Sequence, residues 1–254
     1  MESKNPFFRT KSFTNTSSVG TSSYETRAID YTDTMTVSGT INKSFILLLL
    51  LVASASLIWN MSTNPNNLMV FAIGGAIVGF ILVLVSTFKP HLSTYLAPAY
   101  AVFEGLFIGG ISAIFEMQYP GIVINAIAAT FVTFLVCLGL YKYKIVKVTE
   151  KFKSIVIAAT VAIAVYYLGS WIFSMIFSSF QPVHYGNSNV SIGISVFVII
   201  IASLNLFLDF DQIDKGAEQK MPKYMEWYGA MGLMITLVWL YIEFLRLLSK
   251  LGRD

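Results

Sequence analysis

The sequence predicts an all-α membrane protein with seven transmembrane helices. Of its 254 residues, 56% are hydrophobic and only 12% are charged, whereas about a quarter of a soluble domain is charged. The apolar residues stand in long blocks, and a helix needs about 20 such residues to cross the roughly 30 Å hydrocarbon layer. Strands of a membrane barrel would alternate polar and apolar residues, and these blocks do not, so helices are expected to satisfy the backbone in lipid.

Two regions of different composition follow one another along the chain. Residues 1–42 are rich in Ser, Thr and Asn and poor in aliphatic side chains, so we expect a disordered cytoplasmic tail. The first apolar run starts near Ser44, too late for the apolar region of a cleaved signal peptide. Residues 43–254 are expected to form one bundle, because short connectors force neighbouring helices to run antiparallel. The spans are predicted at 44–60, 68–88, 94–115, 121–141, 154–177, 190–208 and 227–248.

The distribution of Lys and Arg predicts the orientation. With a cytoplasmic N-terminus, fourteen of the seventeen basic residues fall in inside segments. The outside loops at 61–67, 116–119 and 178–189 hold none, and only Arg246, Lys250 and Arg253 fall near an extracytoplasmic C-terminus. Cytoplasmic loops are enriched in basic residues, so we expect the N-terminus inside and the C-terminus outside.

Familiar catalytic and metal-binding patterns are missing from the sequence. It has no His-Glu-xx-His, no Gly-x-Ser-x-Gly and no phosphate-binding loop, so an enzyme is not expected. His91 and His184 fall in loops on opposite sides of the membrane and are expected to be solvated there, so they cannot share a metal. No cofactor or resident metal is predicted, and a net charge of +3 gives no indication of nucleic-acid binding. Cys137, the single cysteine, lies in an apolar block and is expected to be a packing residue.

Acidic residues inside the spans are the candidate functional groups, because an ionisable group is costly in the membrane and needs a partner. Glu104 has no basic residue in its own span, so it is protonated, faces a cavity or meets another helix. Asp209 and Asp211 lie at the inner end of span six, where Asp211 is expected to face water. Glu243 lies well inside span seven, where Arg246 one turn on could neutralise it.

Small residues recur at helical spacing in three spans. The pairs are Gly75 and Gly79, Gly105 and Gly109, and Gly229 and Gly232. Such spacing indicates close helix packing in membranes.

Four short motifs follow one another on this seven-span frame. They are Met35-Thr-Val-Ser-Gly-Thr-Ile-Asn-Lys43, Phe103-Glu-Gly105, Leu208-Asp-Phe-Asp-Gln-Ile213 and Leu240-Tyr-Ile-Glu-Phe-Leu-Arg-Leu-Leu248. Over residues 35–250 the chain resembles the Bax inhibitor-1 (transmembrane Bax inhibitor motif) family, and more narrowly a bacterial branch of it. The resemblance implies six helices wrapped around a central C-terminal helix in the plasma (inner) membrane. It also implies a pH-dependent leak of calcium.

The resemblance further implies a latch of two acidic residues, one ending span six and one in span seven, which share a proton. Asp209 matches the first position. Glu243 matches the second by its neighbours in sequence, but at a rise of 1.5 Å per residue it is expected roughly 20 Å above Asp209. The family's shorter spacing falls near Leu233, and Glu226 is expected to be nearer to Asp209 in depth. The latch is therefore either rebuilt with a different partner or absent.

Two functions remain open at this stage. The first is a pH-sensitive cation leak in which calcium is the transported ion. The alternative is a non-conducting protein that binds and modulates another membrane protein, such as a membrane-anchored protease or a death regulator. The tail and the glycine-rich faces fit this alternative as well, and the oligomeric state is left open. An intramembrane enzyme is disfavoured because no nucleophile and base are visible together.

Overall fold

Residues 34–61, 65–177, 182–186 and 188–252 are described by a computed structural model. Within them the chain forms seven helices, each long and apolar enough to cross a membrane, which confirms the all-α membrane fold. The helices are α1 (Val37–Met61), α2 (Pro65–Phe88), α3 (Ser93–Gln118), α4 (Ile122–Lys142), α5 (Glu150–Ile176), α6 (Asn189–Glu218) and α7 (Met225–Leu251). Short 3₁₀ turns stand before α3 and α6, at Pro90–Leu92 and Val183–Tyr185.

Contacts between helix termini show that the odd-numbered helices begin at the same end of the bundle. Lys43 near the start of α1 pairs with Glu226 at the start of α7, and Lys153 at the start of α5 pairs with Asp211 late in α6. We call this the first end. The second end is the opposite one, where α6 begins and α7 terminates.

Helix α1 begins at Val37, inside the segment that the sequence assigned to the tail. The reason is that residues 34–36 are anchored to the α6–α7 loop. Thr34 pairs with Pro222 in an isolated β-bridge, and the backbone N–H of Met35 donates to the carbonyl of Met221 at 2.7 Å. The expected disorder of the tail concerns residues 1–33, which lie outside the described residues.

Helix α7 packs against four others, namely α1, α3, α4 and α6. It joins two apolar cores. One combines α1, α3, α4 and α7 and includes Leu47, Tyr100, Ala126, Met231 and Leu245. The other combines α4, α6 and α7 and includes Cys137, Phe207, Phe210, Leu233 and Leu240. The principal packing partner of α2 is α3, and that of α5 is α6.

Two of the predicted glycine contacts hold neighbouring helices close together. A Cβ atom on Gly75 of α2 would lie 2.5 Å from the carbonyl oxygen of Phe103 on α3. A Cβ atom on Gly109 of α3 would lie 2.7 Å from the carbonyl oxygen of Ala55 on α1. Both positions therefore need glycine for backbone-to-backbone packing. Gly232 differs, because open space surrounds it.

Candidate functional site: buried acidic residues of the bundle

Asp209 lies within α6 because that helix continues to Glu218, ten residues beyond its predicted end. Its carboxyl lies close to the hydroxyl of Thr236 on α7. Its Oδ2 atom is buried and has no hydrogen-bond partner among the described residues. A buried polar atom without a partner is costly, so this oxygen is the first candidate for binding a proton or an ion.

A cleft of about 130 Å³ opens beside Asp209 between α2, α6 and α7. Its polar lining consists of Thr87 from α2, Gln212 from α6 and Tyr228 from α7, and Gly232 leaves room at its wall. This volume holds several water molecules, since each water occupies about 30 Å³ in the liquid.

The contact between Asp209 and Thr236 corrects the depths expected from the sequence. Glu243 lies seven residues beyond Thr236 on α7, about 10 Å away along the helix rather than roughly 20 Å. Glu226 lies ten residues before Thr236, but the cleft beside Asp209 extends along α7 from Tyr228 to Ile235, so both acids lie beyond it and neither is level with Asp209. Neither acid faces Asp209 because α6 extends to Glu218, which moves the hairpin further along the chain and places the middle of α7 opposite Asp209.

Glu226 is engaged at the first end instead. Its side chain is fully buried and forms an ion pair with Lys43. The backbone N–H and the hydroxyl of Thr36 both donate to its Oε1 atom at 2.9 Å, and Lys223 lies 3.4 Å from the same atom. Gly39 leaves the space that this carboxylate fills. Glu226 therefore fixes the start of α1 to the start of α7.

Glu243 is almost fully buried and pairs with Arg246, as its position one turn away predicts. Nη1 of Arg246 lies 2.9 Å from Oε1 of Glu243, and the hydroxyl of Tyr167 on α5 donates to the same oxygen at 3.3 Å. The Oε2 atom of Glu243 has no hydrogen-bond partner within the described ranges. The guanidinium of Arg246 also lies over the ring of Tyr167, 5.1 Å from its centroid.

A group of basic and aromatic side chains surrounds this pair at the second end, and the sequence analysis did not predict it. Lys250 is buried and donates to the carbonyl of Ser191 at 3.0 Å and to the hydroxyl of Ser195 at 2.7 Å. His184 was expected to be a solvated loop residue, but only 7% of it is exposed. The 3₁₀ turn Val183–Tyr185 carries it against α5 and α6. Burial, together with Arg246 and Lys250, lowers the pKa of His184 to about 4.

Glu104 meets another helix, one of the three alternatives that the sequence left open. It is buried and interacts with the hydroxyl of Tyr100 one turn earlier on α3. A Cβ atom on Gly79 of α2 would lie 3.1 Å from Oε2 of Glu104. Gly79 therefore makes room for this carboxyl at the interface of α2 and α3.

Asp211 was expected to face water, but two lysines surround it. Lys153 of α5 lies 2.9 Å away and Lys215 of α6 lies 2.8 Å away, and the Asp211 side chain is only 14% exposed. Asp214, one turn further, accepts a hydrogen bond of 2.8 Å from the hydroxyl of Tyr141 on α4. Asp211 thus joins α5 to α6 at the first end.

The acidic candidates therefore occupy separate places in the bundle. No three His, Cys, Asp or Glu residues of the described part come close enough to hold a metal ion. Glu226, Glu243 and Asp211 each have a basic partner, whereas Glu104 and Asp209 meet hydroxyl groups. Of these last two, Asp209 lines a cleft, and this makes it the residue best placed to exchange a proton or meet a cation.

Comparison with known proteins extends the resemblance to nearly the whole chain. No curated protein matches the sequence. The model of the family described as Bax inhibitor 1 like matches residues 5–253. Seven membrane-spanning helices and this match together show that the chain belongs to the Bax inhibitor 1 like family.

Proposed function

We propose that this protein is a pH-sensitive cation leak of the plasma membrane and that calcium is the ion it passes. The observation that carries the proposal is the Oδ2 atom of Asp209, which has no hydrogen-bond partner in the described part of the chain and belongs to a residue lining a polar cleft.

The chemistry of Asp209 supplies the pH dependence. A charged carboxylate with a single hydroxyl partner is expensive inside a bundle that spans the membrane. Asp209 is stable there when it carries a proton or when a cation neutralises it. As the pH rises and the proton leaves, the charge draws water and cations into the cleft, so conduction increases.

The cleft has the ligands expected of a weak, transient binding site for calcium. Calcium prefers six to eight hard oxygen ligands. Asp209 contributes carboxylate oxygens, Gln212 an amide oxygen, and Thr87 and Tyr228 hydroxyl oxygens, and water would complete the shell. A single carboxylate gives low affinity, which favours passage of the ion over storage.

The distribution of basic residues supports an orientation for this pathway. With the N-terminus in the cytoplasm, the first end and the Asp209 cleft face the cytoplasm, and the loop that carries His184 faces outwards. A bacterial inner membrane is the setting that the family resemblance supports.

The second function, a non-conducting protein that modulates a membrane partner, has less support. Gly75 and Gly109 were among the small residues available for a partner helix, and both are used in contacts within the bundle.

Calcium influx into proteoliposomes that hold the purified full-length chain separates the two functions. We expect influx above that of protein-free liposomes, rising with pH between 5 and 8. Glu150→Gln serves as a matched control because its side chain is 86% exposed. Influx equal to that of protein-free liposomes at every pH would refute the leak and favour the partner-binding function.

A further inference from the structure

The second end of the bundle holds a buried cluster of charges that the proposed role of Asp209 does not use. We define the His184 cluster as His184, Tyr167, Glu243, Arg246 and Lys250. Three elements meet in it: the turn Val183–Tyr185, α5 and α7, with the start of α6 beside them.

The aromatic rings connect His184 to the ion pair on α7. The centroid of its imidazole lies 4.9 Å from that of Tyr167 and 5.3 Å from that of Tyr166. Its Nδ1 atom lies 3.2 Å from the hydroxyl of Tyr166. Tyr167 in turn binds Glu243 through its hydroxyl and Arg246 through its ring. A change at His184 therefore reaches the Glu243–Arg246 pair through one side chain.

The charge balance of the cluster is already positive. Glu243 neutralises Arg246 at 2.9 Å, whereas the ammonium group of Lys250 donates to neutral oxygens of Ser191 and Ser195. Tyr166 and Tyr167 are the titratable groups that face His184 from α5, and Glu243, Arg246 and Lys250 are those on α7. The start of α6 contributes only neutral side chains there.

We propose that His184 is an acid sensor whose protonation loosens the packing of its loop and α5 against α7 at the second end. A proton on the imidazole places a further positive charge beside Arg246 and Lys250 in a buried site. Like charges repel strongly where water does not screen them, so the loop and the ring of Tyr167 move away from α7. Glu243 then loses a hydrogen bond, and Arg246 loses its aromatic neighbour.

The sign of the pH effect follows from the pKa of about 4, below the 6.5 of an exposed histidine. The unfolded chain binds this proton at a higher pH than the folded chain does. Stability from the neutral His184 is therefore fully present above about pH 6.5 and is lost as the pH falls towards 4. In the orientation proposed above, His184 faces the outside of the cell. Any effect of its protonation on ion conduction rests on the proposed function.

The thermal unfolding midpoint of the full-length protein in detergent, measured from pH 8 to pH 4.5, tests the sensor without any use of ion flux. The wild type is expected to lose at least several degrees between pH 6.5 and pH 4.5. His184→Gln keeps a polar side chain that cannot be protonated, so its midpoint should stay nearly level over this interval. His91→Gln is the matched control, because His91 is exposed at the other end of the bundle and should follow the wild type.

A fall in His184→Gln as large as in the wild type would overturn the proposal. If His184→Gln does not fold, Lys250→Gln decides instead. Removal of this cation reduces the repulsion, so the fall of the unfolding midpoint at acid pH should become smaller, and an unchanged fall would count against the sensor.

Calcium influx into proteoliposomes is then compared in wild type and His184→Gln at pH 5. Absent influx in both refutes the leak alone and leaves the stability result standing.

Discussion

The hydroxyl of Thr236 on α7 faces the carboxyl of Asp209 on α6, whereas the family resemblance implies a second acid on this helix. Two neighbouring carboxylates share one proton and titrate as a coupled pair. A threonine hydroxyl does not ionise in this pH range. In this chain Asp209 is therefore expected to titrate alone, through one transition.

The first prediction concerns this single transition. Asp209→Asn cannot ionise, so calcium influx into proteoliposomes should lose its pH dependence while some influx remains. Thr236→Asp places a second carboxyl against Asp209, and two adjacent carboxylates cannot both ionise cheaply. The pH of half-maximal influx should then move upwards by about one unit or more.

Asp214→Asn is the control for both substitutions, because Asp214 lies at the same end of α6 but is bonded to Tyr141. It should keep the pH profile of the wild type. A pH response that survives intact in Asp209→Asn would remove Asp209 from the proposed mechanism.

The sequence predicted the seven helices well because membrane thickness fixes the length of an apolar run. It predicted the site less well, since α6 does not end where its apolar run ends. The polar residues after Leu208 continue the helix to Glu218, where basic partners stabilise them. Asp211, for example, lies between Lys153 and Lys215, a pairing that hydropathy does not reveal.

The burial of His184, a loop residue, was likewise not predictable from the sequence. This residue lies in the loop between two apolar spans, a position that indicated a solvated side chain. Burial comes from Tyr166 and Tyr167, almost twenty residues earlier, and from basic residues on α7. Contacts between elements so distant in sequence are decided by tertiary packing, and a single sequence carries no direct signal for them.

The second prediction concerns Glu104, which meets Tyr100 and the space beside Gly79. Glu104→Gln keeps the shape of the side chain and removes its charge. If this group lies along the pathway, influx should fall at least several-fold while the thermal unfolding midpoint changes little. Unchanged influx in a folded variant would identify Glu104 as a protonated packing residue.

The third prediction is the orientation of the bundle. Cys137 is buried and is first replaced by Ala, so that single cysteines can be introduced elsewhere. Ser188→Cys and Lys147→Cys both place a thiol at an exposed position, on loops expected on opposite sides of the membrane. A membrane-impermeant maleimide applied to intact cells should label position 188 and not position 147. The reverse pattern would invert the orientation.

The last prediction concerns Glu226, whose buried carboxylate joins the starts of α1 and α7 through Thr36 and Lys43. Glu226→Gln leaves the largely buried ammonium of Lys43 without its counter-charge, which typically costs roughly 3–5 kcal/mol. The unfolding midpoint should fall clearly, whereas Glu150→Gln, which alters an exposed pair with Lys153, should change it by little. Adding Lys43→Met to Glu226→Gln removes the stranded charge and should restore part of the loss. Because Glu226 is bound to Thr36 and Lys43 and is not among the residues that line the cleft beside Asp209, the folded fraction of Glu226→Gln should keep its pH response. A flat response would show that Glu226 acts with Asp209 after all.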